Sequence, residues 1–440
     1  MYFNKLKIIF TMIKNRIINS ILLLTCVAII FTACKSNPEE KTSEFKTTLS
    51  FGPGEEDKIM EAFLSIKDST KIQFKEGRYN FNRLSINQGK NIVLKGAGPD
   101  KTIFDFSSQT QGGEGMRITD VIGFSISGIR LQDSKGDLIK LNKCTDVVID
   151  SVHAIWHVAD STSGGYAIYP VLCKNVLIDH SYAEGASDAG IYVGQTQGAI
   201  VRNSKASKNV AGCEIENTSD AQVYDNEFYG NTAGFLVFDL PGLSQRGGNT
   251  KAYNNYLHDN NNKNFAKAGS FGTAWGVGNA APGSGIIILA TSNVELYKNR
   301  IINNNSSAIS IASGLTVDDK AMEKINPAYF PISRNISIHD NIMEMGNAFP
   351  QEAYTHHMGQ MLVGVEQKLA QQDPSRKNQR IPFILYDGVT TNIINKGTVA
   401  NPDSICIRQD GANIFVNADI INIKSKNWHP NTDIKPFTCK

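Results

Sequence analysis

Two glutamates one residue apart, Glu214 and Glu216 in the stretch "NVAGCEIENT" (209–218), are the side chains of this chain nearest to a recognisable chemistry. In a strand, successive side chains leave opposite faces, so both carboxylates would project from one face, about 6.6 Å apart. That separation suits an inverting carboxylate pair, one group protonating a leaving oxygen while the other activates water. Parallel side chains on one strand do not flank a bond from two sides, however. A carbohydrate or cation contact and a plain solvated face therefore stay open beside the catalytic pair. Tyr192, Phe238 and Asp239 fall at or beside the equivalent positions of neighbouring repeats, and the two rings suit stacking on sugar faces.

A second group lies in "VHAIWHVADSTSGGY" (152–166), with His153, Trp156, His157 and Asp160 beside a glycine-rich turn. Two imidazoles four residues apart can bind a metal or serve as acid and base. "DHSYAEGASDAG" (179–190) adds His180, Tyr182, Glu184 and Asp188 one repeat later, making this the densest set of titratable groups. A histidine at a chain corner is more often a hydrogen-bonded turn residue, and that reading stands beside the ligand-binding one. His356, His357, Met358 and Met361 in "EAYTHHMGQM" suit a soft metal ion, or else belong to a helical insertion packed on the body. No glycine-rich phosphate loop, GxSxG elbow or HExxH occurs, so the common nucleotide and hydrolase signatures are absent.

The elements that must hold these groups are repeats. "DVVIDSVHA" at 146 aligns with "NVLIDHSYA" at 175, "GAIVRNSKA" at 198 and "AQVYDNEFY" at 221; later copies begin at 250, 293 and 335. A second strand follows several of them, as in "GIYVG", "GCEIE", "GFLVF", "GIIIL" and "AISIA". A 20-to-30-residue period of short alternating strands without a helix is the signature of stacked coils. The fold class is all-β, a single-stranded right-handed parallel β-helix. Ile191/Val193, Cys213/Ile215, Phe235/Val237, Ile286/Ile288 and Ile309/Ile311 are expected to form its inward columns, leaving Tyr192, Glu214 and Glu216 outward, with Lys140 joining the first outward column. Asn203, Asn226, Asn255, Asn299 and Asn341 recur at one corner, and Asn209 and Asn231 at another, as scaffold. "EEDKIMEAFLSIKDS" (55–69) reads as a helix capping the first coil through Ile59, Met60, Phe63 and Leu64 or Ile66. Insertions at 243–249, 259–284, 314–333 and 346–380 break the period and are expected on one side.

At 41% hydrophobic and 20% charged residues, the 440-residue chain is globular and long enough for a large core. Residues 1–33 read as an export signal, basic at Lys5, Lys7, Lys14 and Arg16 and then apolar; "FTAC" ends it as a lipobox-like site with Cys34 as the lipidated residue. Residues 34–47 then tether a domain at 48–440. Loss of those four basic residues moves the net charge from +2 to about −2, which excludes the concentrated positive face that nucleic acid requires. An exported chain permits a disulfide, and Cys406 with Cys439 is the expected staple on the C-terminal end.

Polygalacturonase-like hydrolases carry a set of motifs of which "NTSD" at 217 is only a partial echo, and pectate-lyase-like elimination needs calcium carboxylates beside a basic residue, for which Lys140 alone is available. The chain instead resembles a family of exported parallel β-helix repeat proteins, often lipoproteins, within the pectate-lyase-like superfamily. The resemblance rests on residues 164–195, "NVAGCEIENTSDAQVYDN", "NTAGFLVFDLPGL", 260–269 and "ICIRQDGANIFVNADI" with "FTC". It implies fold and export and no reaction. Where that family reads Gly-Ile-Glu-Ile-Glu-Asn, Cys213 replaces the first isoleucine while both glutamates match, and the family's aromatic-ending strand is replaced by "ISIAS" at 309–313.

The functional expectation is a monomeric, lipid-anchored bacterial cell-envelope protein. It binds, and by lyase, epimerase or hydrolase chemistry processes, an acidic polysaccharide or envelope glycan. Glu214, Glu216, Tyr192 and Asp239 are its catalytic candidates, and His153, Trp156, His157, His180, Asp188 and Phe238 its ligand contacts. Calcium is the metal considered. The alternative is a non-enzymatic scaffold or maturation factor, recognised by insertions that cover the outward face. Cys34→Ser is expected to abolish incorporation of labelled fatty acid and to move the chain from the membrane fraction to the soluble one; unchanged labelling would reject the anchor.

Overall fold

The computed structural model describes residues 45–270, 275–376, 383–410 and 414–439; the export segment and Cys34 lie outside the described residues. The described residues wind as a parallel β-helix whose strands, 29 among them, pair in parallel with their equivalents on adjacent coils. Ile191 opposes Cys213, followed in the same column by Phe235, Ile286 and Ile309. All five are at most 1% exposed. Each contributes on the order of 1.5–3 kcal/mol by leaving water. Cys213 therefore fills an aliphatic core position.

Two asparagine ladders run along the stack. In the first, Asn226, Asn255 and Asn299 each donate the backbone N–H and the side-chain N–H to the side-chain oxygen of the next member, ending at Asn341; Asn255 Oδ1 lies 3.2 and 3.0 Å from Asn226 N and Nδ2. The second joins Asn209, Asn231, Asn260 and Asn304 in the same way. Asn203 belongs to neither. Its φ of 48° places it in the left-handed turn position, shared by Asp225, Asn254, Lys298 and Asp340, one residue before each ladder position. Ser204 occupies its coil's ladder place and donates its N–H to Asn226. Left-handed turn and ladder rung are thus adjacent residues with separate jobs. Glycine opens the strands beside the second ladder because a Cβ on Gly212 would stand 2.5 Å from Gly234 O and 2.9 Å from Asn231 Nδ2.

The helix Glu56–Leu64 covers the first coil with Ile59 and Phe63 buried. Leu64 is 78% exposed, and Ile66, after the helix has ended, packs on the core in its stead. At the other end Cys406, in the strand Ile405–Arg408, is disulfide-bonded to Cys439 with Cα atoms 5.3 Å apart. That closure holds Phe437 against Tyr386 and Phe415, at ring separations of 5.4 and 5.1 Å. Among the described residues no helix is long and apolar enough to cross a membrane.

Asn255→Ala would strand the buried donors of Asn226 and the carbonyl of Val223, which its own Nδ2 satisfies. We expect a loss of about 2–4 kcal/mol in urea unfolding, with a far-UV spectrum that stays β; a loss below about 0.5 kcal/mol would deny the ladder its structural part.

Candidate functional site

Register turns single outward positions into columns. Lys140, Tyr169, Tyr192, Glu214, Leu236, Ile287 and Ser310 follow one another on successive coils, and Gly194, Glu216, Phe238, Leu289 and Ala312 form the column beside them. Both columns point away from the β-helix core. The strands Ala189–Gly194, Ala211–Glu216 and Ala233–Phe238 are nonetheless buried at every residue. Glu214 is 2% exposed and Glu216 8%.

The cover is made by the insertions, which are tied to one another. The helix His357–Gln372 buries Leu362, Val365 and Leu369. His356 Nε2 pairs with Gly278 O at 2.8 Å and His357 Nε2 with Asn279 Oδ1 at 2.6 Å, so these histidines fasten two insertions together. Trp275 donates its indole N–H to Asp318 at 3.2 Å, joining a third. Between cover and sheet lies a cavity of about 200 Å³. Asp188, Glu214, Glu216 and Tyr166 form its polar end, whereas Leu236, Phe238, Leu289, Met358, Met361 and Leu362 contribute apolar wall.

Burial governs the electrostatics, outweighing the charge of Lys267, which favours the ionised form of Asp188. Among the described residues no lysine, arginine or histidine lines the cavity. Burial raises Glu214 well above the usual carboxylate range, and the charges of Asp188 and Glu216 push the same way. Glu214 has no hydrogen bond or ion pair among the described residues. Burial raises Glu216 to about 7 against the opposing contact of the Tyr192 hydroxyl, and Asp188 to about 7 against that of Tyr166. Asp137, just outside, is raised to about 6, again mainly by burial. The Tyr192 ring lies over Gly194, where a Cβ would stand 2.2 Å from its hydroxyl oxygen. Gly194 is in register with Glu216, so the missing side chain gives Tyr192 its path to that carboxylate.

The expected site residues divide accordingly. Glu214, Glu216, Asp188 and Phe238 meet at the cavity. Tyr192 lies behind it as a donor to Glu216. Asp239 is withdrawn to the corner, where the 243–249 loop folds back and Gly247 N–H donates to its Oδ1 at 3.0 Å. Burial raises Asp239 to about 7. The histidine-rich group does not assemble there. Trp156 is core, its indole bonded to Ser134 O at 2.7 Å; His153 packs edge-on against Tyr182; His157 pairs with Asp133; and His180 lies between Asp150 and Asp179. His153 lies within the strand Thr145–Ile155, whereas Trp156, His157 and His180 stand in the turns that follow strands, so each takes a different local partner. Asp150, Asp179 and His180 are the only His, Cys, Asp or Glu trio among the described residues with ligand atoms within 4.8 Å of one another, and Asp179 there is already engaged by Arg202 and Asn203. The cavity carboxylates form no such set, so the calcium expected for this face finds no ready cage. Tyr166 and Asp387 also line the cavity and were missed. For Tyr166 the signal was the small residue, Ala189, in register with it on the next coil, which leaves room for its ring.

A family model described as a right-handed beta helix region matches residues 114–244, less than half of the chain. No curated protein matches. Among solved structures, the A-module of mannuronan C-5 epimerase AlgE4 of Azotobacter vinelandii is similar at 14% identity over 77% of this chain and 86% of that one, with a TM-score of 0.48. An alginate lyase from Paenibacillus sp. str. FPU-7 is similar at 13% over 69% and 99%, TM-score 0.46. The GH136 lacto-N-biosidase from Eubacterium ramulus is similar at 10% over 68% of each chain, TM-score 0.36. None of these likenesses carries chemistry over to this chain.

A carboxyl with a raised folded pKa holds its proton more tightly folded than unfolded. Its stabilisation is full below the unfolded value of about 4 and is lost as pH rises through about 7. Glu216→Gln should therefore melt above wild type at pH 8, with the gap closing at pH 5. An equal gap at both pH values would refute the buried, proton-holding state of Glu216.

Proposed function

We propose that the protein is an exported, lipid-anchored β-helix protein that takes one saccharide unit, the end of an envelope glycan, into the covered cavity and acts on it by acid–base chemistry. The observation supporting this most directly is the meeting of Asp188, Glu214 and Glu216 at a walled cavity, the two glutamates buried and Asp188 half-buried, with Asp188 and Glu216 poised near neutral pH. A catalytic acid or base works best with its pKa near the working pH.

Size and sign narrow the ligand. About 200 Å³ lies below the roughly 300–1,000 Å³ of pockets for drug-sized ligands, which favours a single compact unit over a polymer strand lying along the sheet. An acidic polysaccharide, the first expectation for this face, has less support. Its carboxylates would face several buried carboxyls with no cation among the lining residues.

Roles follow from position. Glu214, raised by burial and without a partner among the described residues, is the general acid toward a leaving oxygen. Asp188 precedes the strand Ala189–Gly194, on the coil adjacent to that of Glu214, and so supplies what one strand cannot, a carboxylate approaching from a second direction. It is the general base toward water or a ring proton. Glu216, held by Tyr192, orients a sugar hydroxyl. A second reading, a non-enzymatic scaffold, is favoured by the completeness of the cover over this face.

The test is a panel of aryl glycosides, reducing oligosaccharides and uronic-acid oligosaccharides, assayed for binding, reducing ends and unsaturated product. Glu214→Gln and Asp188→Asn should each lower kcat by about a hundredfold or more while leaving the melting curve cooperative. Wild-type protein that neither binds nor turns over any member would leave the scaffold reading in possession.

A further inference from the structure

The cavity has a sign as well as a size. Four carboxyl residues, Asp188, Glu214, Glu216 and Asp387, line it, no basic side chain is among the described lining residues, Lys267 acts on Asp188 from outside the lining, and Glu214 is without a partner among the described residues. A buried carboxyl group with no hydrogen-bonding partner is costly, and a ligand able to donate to it recovers that cost. A shared metal ion does not fit the arrangement, since these carboxylates form no trio with oxygens within 4.8 Å of one another.

Beside the carboxyls stands an aromatic wall. Tyr166, Tyr169 and Tyr192 have ring centroids 4.5 to 4.8 Å apart. At its outer edge Lys140 Nζ lies 4.2 Å over the Tyr169 ring, so the wall already holds one cation against a π face. The Tyr166 ring at the cavity, backed by Tyr169 and Tyr192, together with the unpaired carboxyl of Glu214 suits an ammonium group, as an aromatic cage does. Beyond it the wall is apolar, with Leu236, Phe238 and Met358 offering no hydrogen-bond donors.

We infer that the unit bound in this cavity is positively charged: a saccharide bearing a free ammonium, seated with the ammonium on Glu214, Asp188 and the Tyr166 ring and its ring carbons toward Leu236 and Phe238. The inference rests on the proposed site for its location and adds the charge of the ligand. A neutral sugar would meet Glu214 only through hydroxyls and would leave the Tyr166 ring without a cation.

Calorimetric titration of the intact mature chain at pH 7 tests it with matched probes: glucosamine, N-acetylglucosamine, glucose and glucuronate, then cyclohexylamine against cyclohexanol, and calcium chloride alone. Glucosamine should bind tighter than glucose and N-acetylglucosamine by about tenfold or more, and glucuronate should not bind. The preference should collapse in Glu214→Gln, whose melting curve reports whether it is folded, and in Tyr166→Leu as an independent variant. Neutral sugars binding as tightly as glucosamine would overturn the charge and leave the saccharide reading standing. Cyclohexylamine binding in preference to cyclohexanol while every sugar fails would support the charge and overturn the saccharide. Calcium that binds and displaces the amine would replace the organic cation with a metal, and silence across all probes would reject both.

Discussion

In-register parallel stacking is the constraint on which the rest of this molecule depends. Each coil lies over its equivalent, so a residue type chosen once is chosen for a column. Ile191, Cys213, Phe235, Ile286 and Ile309 become a continuous core; Asn226, Asn255, Asn299 and Asn341 become a hydrogen-bonded spine; and Tyr192, Glu214 and Leu236 become a surface with a gradient of chemistry along it. The same constraint forces acidic neighbours together. A single strand places Glu214 beside Glu216, and the adjacent coil adds Asp188.

Stacking alone would leave that surface wet, and wet carboxylates would be ordinary. The insertions change this. Where His356, His357 and Trp275 fasten the cover together, the outward columns exchange water for apolar neighbours, and carboxyl groups that would titrate near 4 in water come to hold protons near neutrality. Protonation is the cheaper response to burial when no cation is at hand. A site that costs stability at neutral pH and has no structural partner for Glu214 is better explained by a ligand than by packing.

Another face offers an instructive contrast. Tyr224, Tyr253, Tyr297 and His339 stack coil over coil with centroids 4.8 to 5.2 Å apart and planes within 13° of parallel. Their faces are spent on one another and only edges meet solvent, so this ladder reinforces the stack and offers a sugar little to lie on. Beside the cavity the tyrosines are tilted or edge-on to one another, with interplanar angles of 45° to 90°, and of the three Tyr166 lines the cavity.

The period, the inward columns and the capping helix were legible in the sequence because they are local patterns repeated at a fixed spacing. The pairing of Glu214 with Glu216 was legible for the same reason, since alternation in a strand dictates a shared face. Three things were not. The histidines near 153–180 read as one cluster although one lies in a strand and the others in turns, each held by its own partner. Asn203 read as a ladder rung because turn and rung differ by one residue. Tyr166 and Asp387, far apart in the chain, meet at the cavity only through the stacking of several coils. The sequence by itself determined the coil and the face on which the carboxylates stand, because both follow from side-chain alternation and period. Only the tertiary structure decided that the face is covered, and with it the protonation, size and sign of the site, because desolvation depends on where the insertions come to rest and not on the residues they conceal.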